Sequence, residues 1–159
     1  MMKITIIAVS GLKEKYLREA AGEYIKRLGA FCDLTVIELE PARLPEKPSA
    51  SEIRAALDRE GKLILKKIPP GNIVAALCIE GGSLSSEDFA GFIKSNSDSG
   101  LGVTFIIGGS YGLSDDVKQR ADKKISFSAL TFPHRLFRIM LLEQIYRAFR
   151  INTGSTYHK

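Results

Sequence analysis

Val103-Thr104-Phe105-Ile106-Ile107-Gly108-Gly109-Ser110-Tyr111-Gly112 carries an apolar, partly β-branched run straight into a glycine-rich turn. A run of that length and composition reads as a buried strand. A second short run, Ile125-Ser126-Phe127-Ser128, leads through Ala129-Leu130-Thr131 into Phe132-Pro133-His134-Arg135-Leu136-Phe137-Arg138. Two strands therefore end in loops able to converge on one ligand. In open α/β sheets, ligands sit at the carboxyl ends of the strands.

Upstream, residues 3–9 read as a core strand, broken by Ser10-Gly11. Residues 13–28 read as an amphipathic helix, with Leu17, Tyr24 and Leu28 at helical spacing. Residues 31–39 form a second strand. Pro41, Pro45 and Pro48 then rule out a regular element, leaving either an exposed loop or a lid over a ligand. The next helix runs from Ser51 to about Lys66, and Gly61 weakens its middle enough that two shorter helices are an alternative. Ile73-Val74-Ala75-Ala76-Leu77-Cys78-Ile79 is apolar, as a strand covered on both faces should be, and Glu80-Gly81-Gly82 reads as the turn after it. Ser85 or Ser86 caps a helix reaching about Ser95, a further helix covers residues 114–121, and a long one runs from Pro133 to about Arg150. Alternating strands and helices predict an α/β fold: a largely parallel five-stranded sheet flanked by helices, in one domain over residues 1–159.

The last helix has an apolar residue on most of its circumference, from Leu136 and Phe137 through Leu141, Leu142 and Ile145 to Phe149. A surface helix carries a narrower stripe. The expectation is burial on one side and contact with a second subunit on the other.

Formal net charge is +5, from 23 basic and 18 acidic side chains. Residues 130–159 hold Arg135, Arg138, Arg147, Arg150 and Lys159 against Glu143 alone, and both histidines, His134 and His158, fall there too. Such a basic segment either attracts a phosphate backbone or forms a solvated helix face. Cys32 and Cys78 sit in apolar runs, away from metal-ligand spacing, and read as reduced core cysteines. No stretch is long and apolar enough for a membrane span, and no signal-peptide pattern is present, so a cytoplasmic protein is expected.

Taken singly, the motifs are modest. Gly108 to Gly112 matches neither the dinucleotide fingerprint nor the P-loop, and a plain strand–helix turn explains it equally well. His134 stands at a helix start, where a cationic imidazolium is disfavoured; it is either a neutral proton acceptor or a helix-terminal histidine bonded to backbone. Glu143 and Arg147 have the spacing of an ordinary helix ion pair, and Gln144 must find partners if buried. Tyr157-His158-Lys159 is either a frayed tail or a set able to stack on a base and bind phosphate.

Together the pieces resemble a known family. Residues 2–9 with Leu12-Lys13-Glu14-Lys15-Tyr16, Phe105 through Leu113, Phe127-Ser128 with Thr131-Phe132-Pro133-His134, Leu142-Glu143-Gln144-Ile145-Tyr146-Arg147-Ala148 and Tyr157-His158-Lys159 are similar, in this order and spacing, to the bacterial ribosomal large-subunit methyltransferase H family of the SPOUT superfamily. The resemblance spans essentially the full chain. It implies a C-terminal trefoil knot, which connection rules alone argue against. It further implies a homodimer, S-adenosylmethionine as methyl donor, and methylation at N3 of a pseudouridine in helix 69 of 23S rRNA on assembled ribosomes. Carried over by motif, the donor contacts are Leu77, Gly108, Phe127, Ser128, Ala129, Leu130, Thr131 and Phe132. His134, Arg138 and His158 are the expected catalytic groups, and Arg135, Arg147, Tyr157 and Lys159 the expected substrate contacts, with the tail of one subunit reaching the other's cofactor. Ala129-Leu130 departs mildly from the longer polar side chain that relatives often carry there. No metal is expected.

Attack by an imide nitrogen needs its proton removed or the resulting anion stabilised. His134 or His158 would serve as the base, and Arg138 would stabilise the anion. Two other classes compete: a non-catalytic ribosome-binding protein, and a nucleotide-dependent α/β enzyme such as a dehydrogenase, whose dinucleotide fingerprint is missing.

Overall fold

The computed structural model describes residues 1–158, with His158 described by its backbone alone. The elements alternate along the chain: β1 (Met2–Val9), α1 (Lys15–Leu28), β2 (Cys32–Leu39), α2 (Ala50–Lys67), β3 (Ile73–Ser83), α3 (Ser86–Asp98), β4 (Val103–Ile107), α4 (Asp115–Arg120), β5 (Lys123–Ser126) and α5 (His134–Asn152), closed by a 3-10 turn at Thr156–His158. The five strands form one sheet in the order β2-β1-β4-β3-β5. Every pairing is parallel.

Side-chain alternation in the central strands divides the interior in two. Ile4, Ile6 and Ala8 of β1, Ala75 and Leu77 of β3, and Phe105 and Ile107 of β4 face α1, α3 and α5. Ile7 and Val9, Val74 and Ala76, and Ile106 face α2 and α4. With helices on both faces, the inner strands are apolar at nearly every position, which is why they read as continuous runs. In α5, Leu141, Leu142 and Ile145 are fully buried, each contributing about 1.5–3 kcal/mol of transfer free energy. Cys32 belongs to this core, and burial pushes its thiol up to about 12. Cys78 departs from expectation: it is only partly buried and faces a cavity.

Three boundaries differ from the sequence expectation. The helix after the proline-rich loop starts one residue earlier, at Ala50, because Ser49 and Glu52 form a reciprocal capping box. It also runs unbroken through Gly61, which packs against Ser114 and Val117 of the α4 start. The segment Glu80-Gly81-Gly82 is not a turn but part of β3: Leu77 and Gly82 both pair with Ile125, so the residues between them bulge from the ladder. Glycine is required there, since a Cβ at Gly81 would stand 2.6 Å from the Ile125 backbone.

Because all strands run the same way, their carboxyl ends lie along one edge of the sheet. Ser10 after β1, the glycine turn after β4, the bulge of β3 and Phe127 after β5 all emerge there, and α5 begins beside them.

Candidate functional site

A cavity of about 860 Å³ opens at this edge, beyond β4, β3 and β5. Its walls are the β3 end (Leu77 to Glu80), the turn after β4 (Ile107 to Leu113) and the segment from Ile125 to the first turn of α5. All the donor-binding residues expected from sequence line it except Ala129: Leu77, Gly108, Phe127, Ser128, Leu130, Thr131 and Phe132. Cys78, Glu80, Tyr111 and Lys118 line it as well, and sequence reading passed over them.

The local structure explains the shape. At Gly108 a Cβ would lie 2.3 Å from the carbonyl oxygen of Gly112, and Gly112 itself takes a φ of 87°. Only glycine tolerates both demands. The turn closes tightly, with the Gly112 amide donating to the Gly109 carbonyl. Ser114 then caps α4 by accepting from the Val117 amide. On the opposite wall, Ser128 Oγ accepts from the Leu130 amide, and Ser126 Oγ donates to the Ser128 carbonyl. Phe127 packs against Phe137 with ring centroids 4.8 Å apart and planes tilted by 54°, which anchors the loop to α5. The result is a slot with apolar side chains and a lining of backbone polar groups.

His134 opens α5 and faces the cavity. Pro133 precedes it as N-cap and offers no side-chain bond to the first helical amides. The imidazole is held below its ordinary value of 6.5, chiefly by burial and then by the Arg135 and Arg138 cations, with Glu14 opposing. Its Nε2 is buried and without a hydrogen-bond partner. An imidazole depressed in this way and lining a cavity can accept a proton once its ring turns the buried nitrogen toward a ligand.

Arg138 is placed otherwise. It is 4% exposed and does not line the cavity. Its guanidinium donates to Glu38 at 2.6 Å and to the Ser10 carbonyl. Arg135 lies beside it, donating to Ser10 Oγ and the Gly11 carbonyl, with Glu14 3.7 Å away. Ser10 presents these acceptors from a left-handed conformation, φ 112°, an arrangement that a non-glycine residue holds only when its surroundings enforce it. The Ser10-Gly11 break after β1 is thus a polar cradle for two arginines of α5.

Arg147 and Tyr157 form a separate group near the other end of α5. Arg147 pairs with Glu143 at 2.6 Å, and its guanidinium lies 5.1 Å from the centre of the Tyr157 ring. Tyr157 also packs edge-on against Tyr146, so the chain is folded back here rather than frayed. Gln144 finds its partners in Ser86 and Glu143. Thirteen residues of helix separate His134 from Arg147, about 20 Å along the axis. Within one chain neither Arg147 nor Tyr157 lines the cavity. The His158 side chain and Lys159 lie outside the described residues. Among the described residues, no group of three His, Cys, Asp or Glu is arranged to hold a metal, and no helix is long and apolar enough to cross a membrane.

The sheet whose β3, β4 and β5 ends enclose this slot, with a histidine at the start of α5 beside it, belongs to a chain with known relatives. The family described as Predicted SPOUT methyltransferase matches residues 2–158, and the chain belongs to it. Among its relatives, the ribosomal RNA large subunit methyltransferase H of Carboxydothermus hydrogenoformans is 50% identical, over 99% of this chain and 100% of its own. The protein of the same name from Clostridium acetobutylicum is 49% identical over the same shares. Solved structures share the fold at low identity. A methylase family protein from Haemophilus influenzae Rd KW20 superposes with a TM-score of 0.53 at 11% identity, covering 99% of this chain and 70% of that one. Another, from Neisseria gonorrhoeae, gives 0.54 at 11%, covering 91% and 81%.

Proposed function

We propose that this SPOUT methyltransferase methylates large-subunit ribosomal RNA, using S-adenosylmethionine, at N3 of a pseudouridine in helix 69 of 23S rRNA on the assembled ribosome. The observation that carries the reading is the single cavity made by three strand-end segments, together with relatives about half identical over their whole length that bear the rRNA methyltransferase name. Residues 1–159 act as one SPOUT domain in this reading, and a C-terminal trefoil knot and a cytoplasmic location belong to it.

The residues present suit the donor. Apolar walls at Leu77, Ile107, Phe127 and Leu130 suit an adenine, and the backbone of the Gly108 turn and of residues 127–132 suits its polar edge and ribose. When bound, S-adenosylmethionine supplies an electrophilic methyl group on a sulfonium. This chain's own work is to orient the attacking nitrogen, exclude water and take its proton. His134 is the favoured acceptor, since it lines the cavity and its buried Nε2 has no partner to give up when the ring turns toward substrate. Arg138 holds Ser10 and Glu38 and steadies the start of α5, while its Nε remains without a partner. Arg135 does not line the cavity and binds Ser10 and Gly11 instead.

A homodimer completes the arrangement. Tyr157 and Arg147 are too far along α5 to serve the cavity of their own chain, so the C-terminal segment, with His158 and Lys159, serves the second subunit's substrate. The test is transfer of labelled methyl from S-adenosylmethionine to ribosomes from a strain lacking the corresponding enzyme. Label on the helix 69 pseudouridine is expected. Label on another nucleotide moves the substrate, and donor binding without transfer to any ribosomal particle rejects it.

A further inference from the structure

The cavity is apolar apart from backbone groups and a few side chains, and its charges are distributed unevenly. Among the described residues lining it, Glu80 and Lys118 are the one pair of opposite charge. They come from different elements. Glu80 sits in the bulge of β3, between the two residues that pair with Ile125. Lys118 lies in α4, just after the glycine turn. Their side chains are bonded to each other and remain 50% and 28% exposed. The Lys118 ammonium holds the Glu80 carboxyl below its usual range, and Glu80 raises Lys118 in turn, so both are charged at neutral pH. Ion pairs this exposed add little to stability. A bulge that delivers a carboxylate to a lysine at the rim of a ligand cavity therefore calls for a ligand.

We infer that Glu80 and Lys118 recognise the zwitterionic amino-acid end of the methyl donor, Lys118 taking its carboxylate and Glu80 its ammonium group. The inference rests on S-adenosylmethionine as the donor and adds the residues that read its charged end. The rest of the cavity offers a nucleoside what it needs, an apolar slot with backbone donors and acceptors. An α-amino acid needs one anion and one cation side by side, and this rim supplies that pair. The free pair closes on itself, and a zwitterion inserted between the partners satisfies both charges again.

Calorimetric titration with two thioethers isolates the effect. S-adenosylhomocysteine carries the amino-acid end, and 5′-methylthioadenosine lacks it. The unaltered protein should bind the first more tightly, by roughly tenfold or more, the factor expected of charge-assisted hydrogen bonds. Glu80→Gln and Lys118→Met should erase that preference while leaving the affinity for 5′-methylthioadenosine within about twofold. The exchanged pair Glu80→Lys with Lys118→Glu restores an ion pair but presents each charge to the wrong end, so the preference stays lost. A variant that keeps the preference overturns the inference. So does an equal loss of both ligands, or recovery in the exchanged pair, because a merely structural bridge would behave in those ways. If the unaltered protein binds neither thioether, the donor assignment itself falls and this inference with it.

Discussion

Alanine at Gly61 and alanine at Gly22 should change stability in opposite directions, although both glycines lie inside helices. Alanine is favoured over glycine in a helix interior by about 0.8–1 kcal/mol. At Gly22 an added Cβ meets nothing within 4 Å, so that gain should appear in full. At Gly61 the Cβ would lie 2.3 Å from Ser114 Oγ, 3.1 Å from Ser114 Cβ and 3.3 Å from Val117 Cγ2. Ser114 is 4% exposed, and its hydroxyl caps α4. Turning it aside forfeits a cap worth about 1 kcal/mol. The remaining crowding adds about 1–3 kcal/mol. Against the helix gain, the net expectation is a loss of about 2 kcal/mol. For a chain of this size Tm should fall by about 4–8 °C in Gly61→Ala and rise by about 2–4 °C in Gly22→Ala. Thermal unfolding followed by circular dichroism measures both. Ser114→Ala in the Gly61→Ala background removes the nearest atom, so the two losses should be less than additive. A Gly61→Ala protein that melts as high as Gly22→Ala would refute the close seating of α2 on the start of α4.

Three further outcomes are expected. Gly108→Ala places a Cβ 2.3 Å from the Gly112 carbonyl oxygen; calorimetric affinity for S-adenosylhomocysteine should fall by at least roughly tenfold, and unchanged affinity would remove the glycine turn from the donor site. His134 is held below 6.5 by burial, so as pH drops through that value the unfolded chain takes up the proton first and stability declines. Urea midpoints should therefore fall between about pH 7.5 and about pH 5.5, less so in His134→Gln, and identical pH dependence in the two proteins would contradict the placement. Glu38→Ala leaves buried Arg138 with the Ser10 carbonyl alone. Because Glu38 is half-exposed, a discounted loss of about 2 kcal/mol is expected, and an unchanged Tm would show that the pair is idle.

Much of the architecture was legible because the inner strands are covered on both faces and so stay apolar along their length. β1, β3 and β4 announce themselves this way; α1 follows from helical spacing, α3 from its serine cap, and α5 from Pro133 and the apolar run after it. What periodicity missed was tertiary in origin. Gly61 looks like a helix breaker until Ser114 is seen against it. Gly81 looks like a turn until the backbone of Ile125 is seen beneath it. The donor-binding residues came from motif resemblance, and residue pattern alone ranked the glycine turn no higher than an ordinary connection. Its meaning depends on β3 lying between β4 and β5, an order no local pattern encodes. Arg138 shows the converse. The family resemblance gave it a part in the chemistry, but in the structure its guanidinium is bonded to Glu38, a hundred residues upstream.

The order β2-β1-β4-β3-β5 also governs when competence arises during synthesis. β1 and β2 are neighbours in sequence and in the sheet, so a nascent chain can pair them early. The place beside β1 on its other flank must wait for Val103–Ile107, and the last wall of the cavity arrives with residues 125–137. A ribosome that stalls, or a message cut short before that point, therefore yields a product in which the cavity lacks the wall formed by residues 125–137.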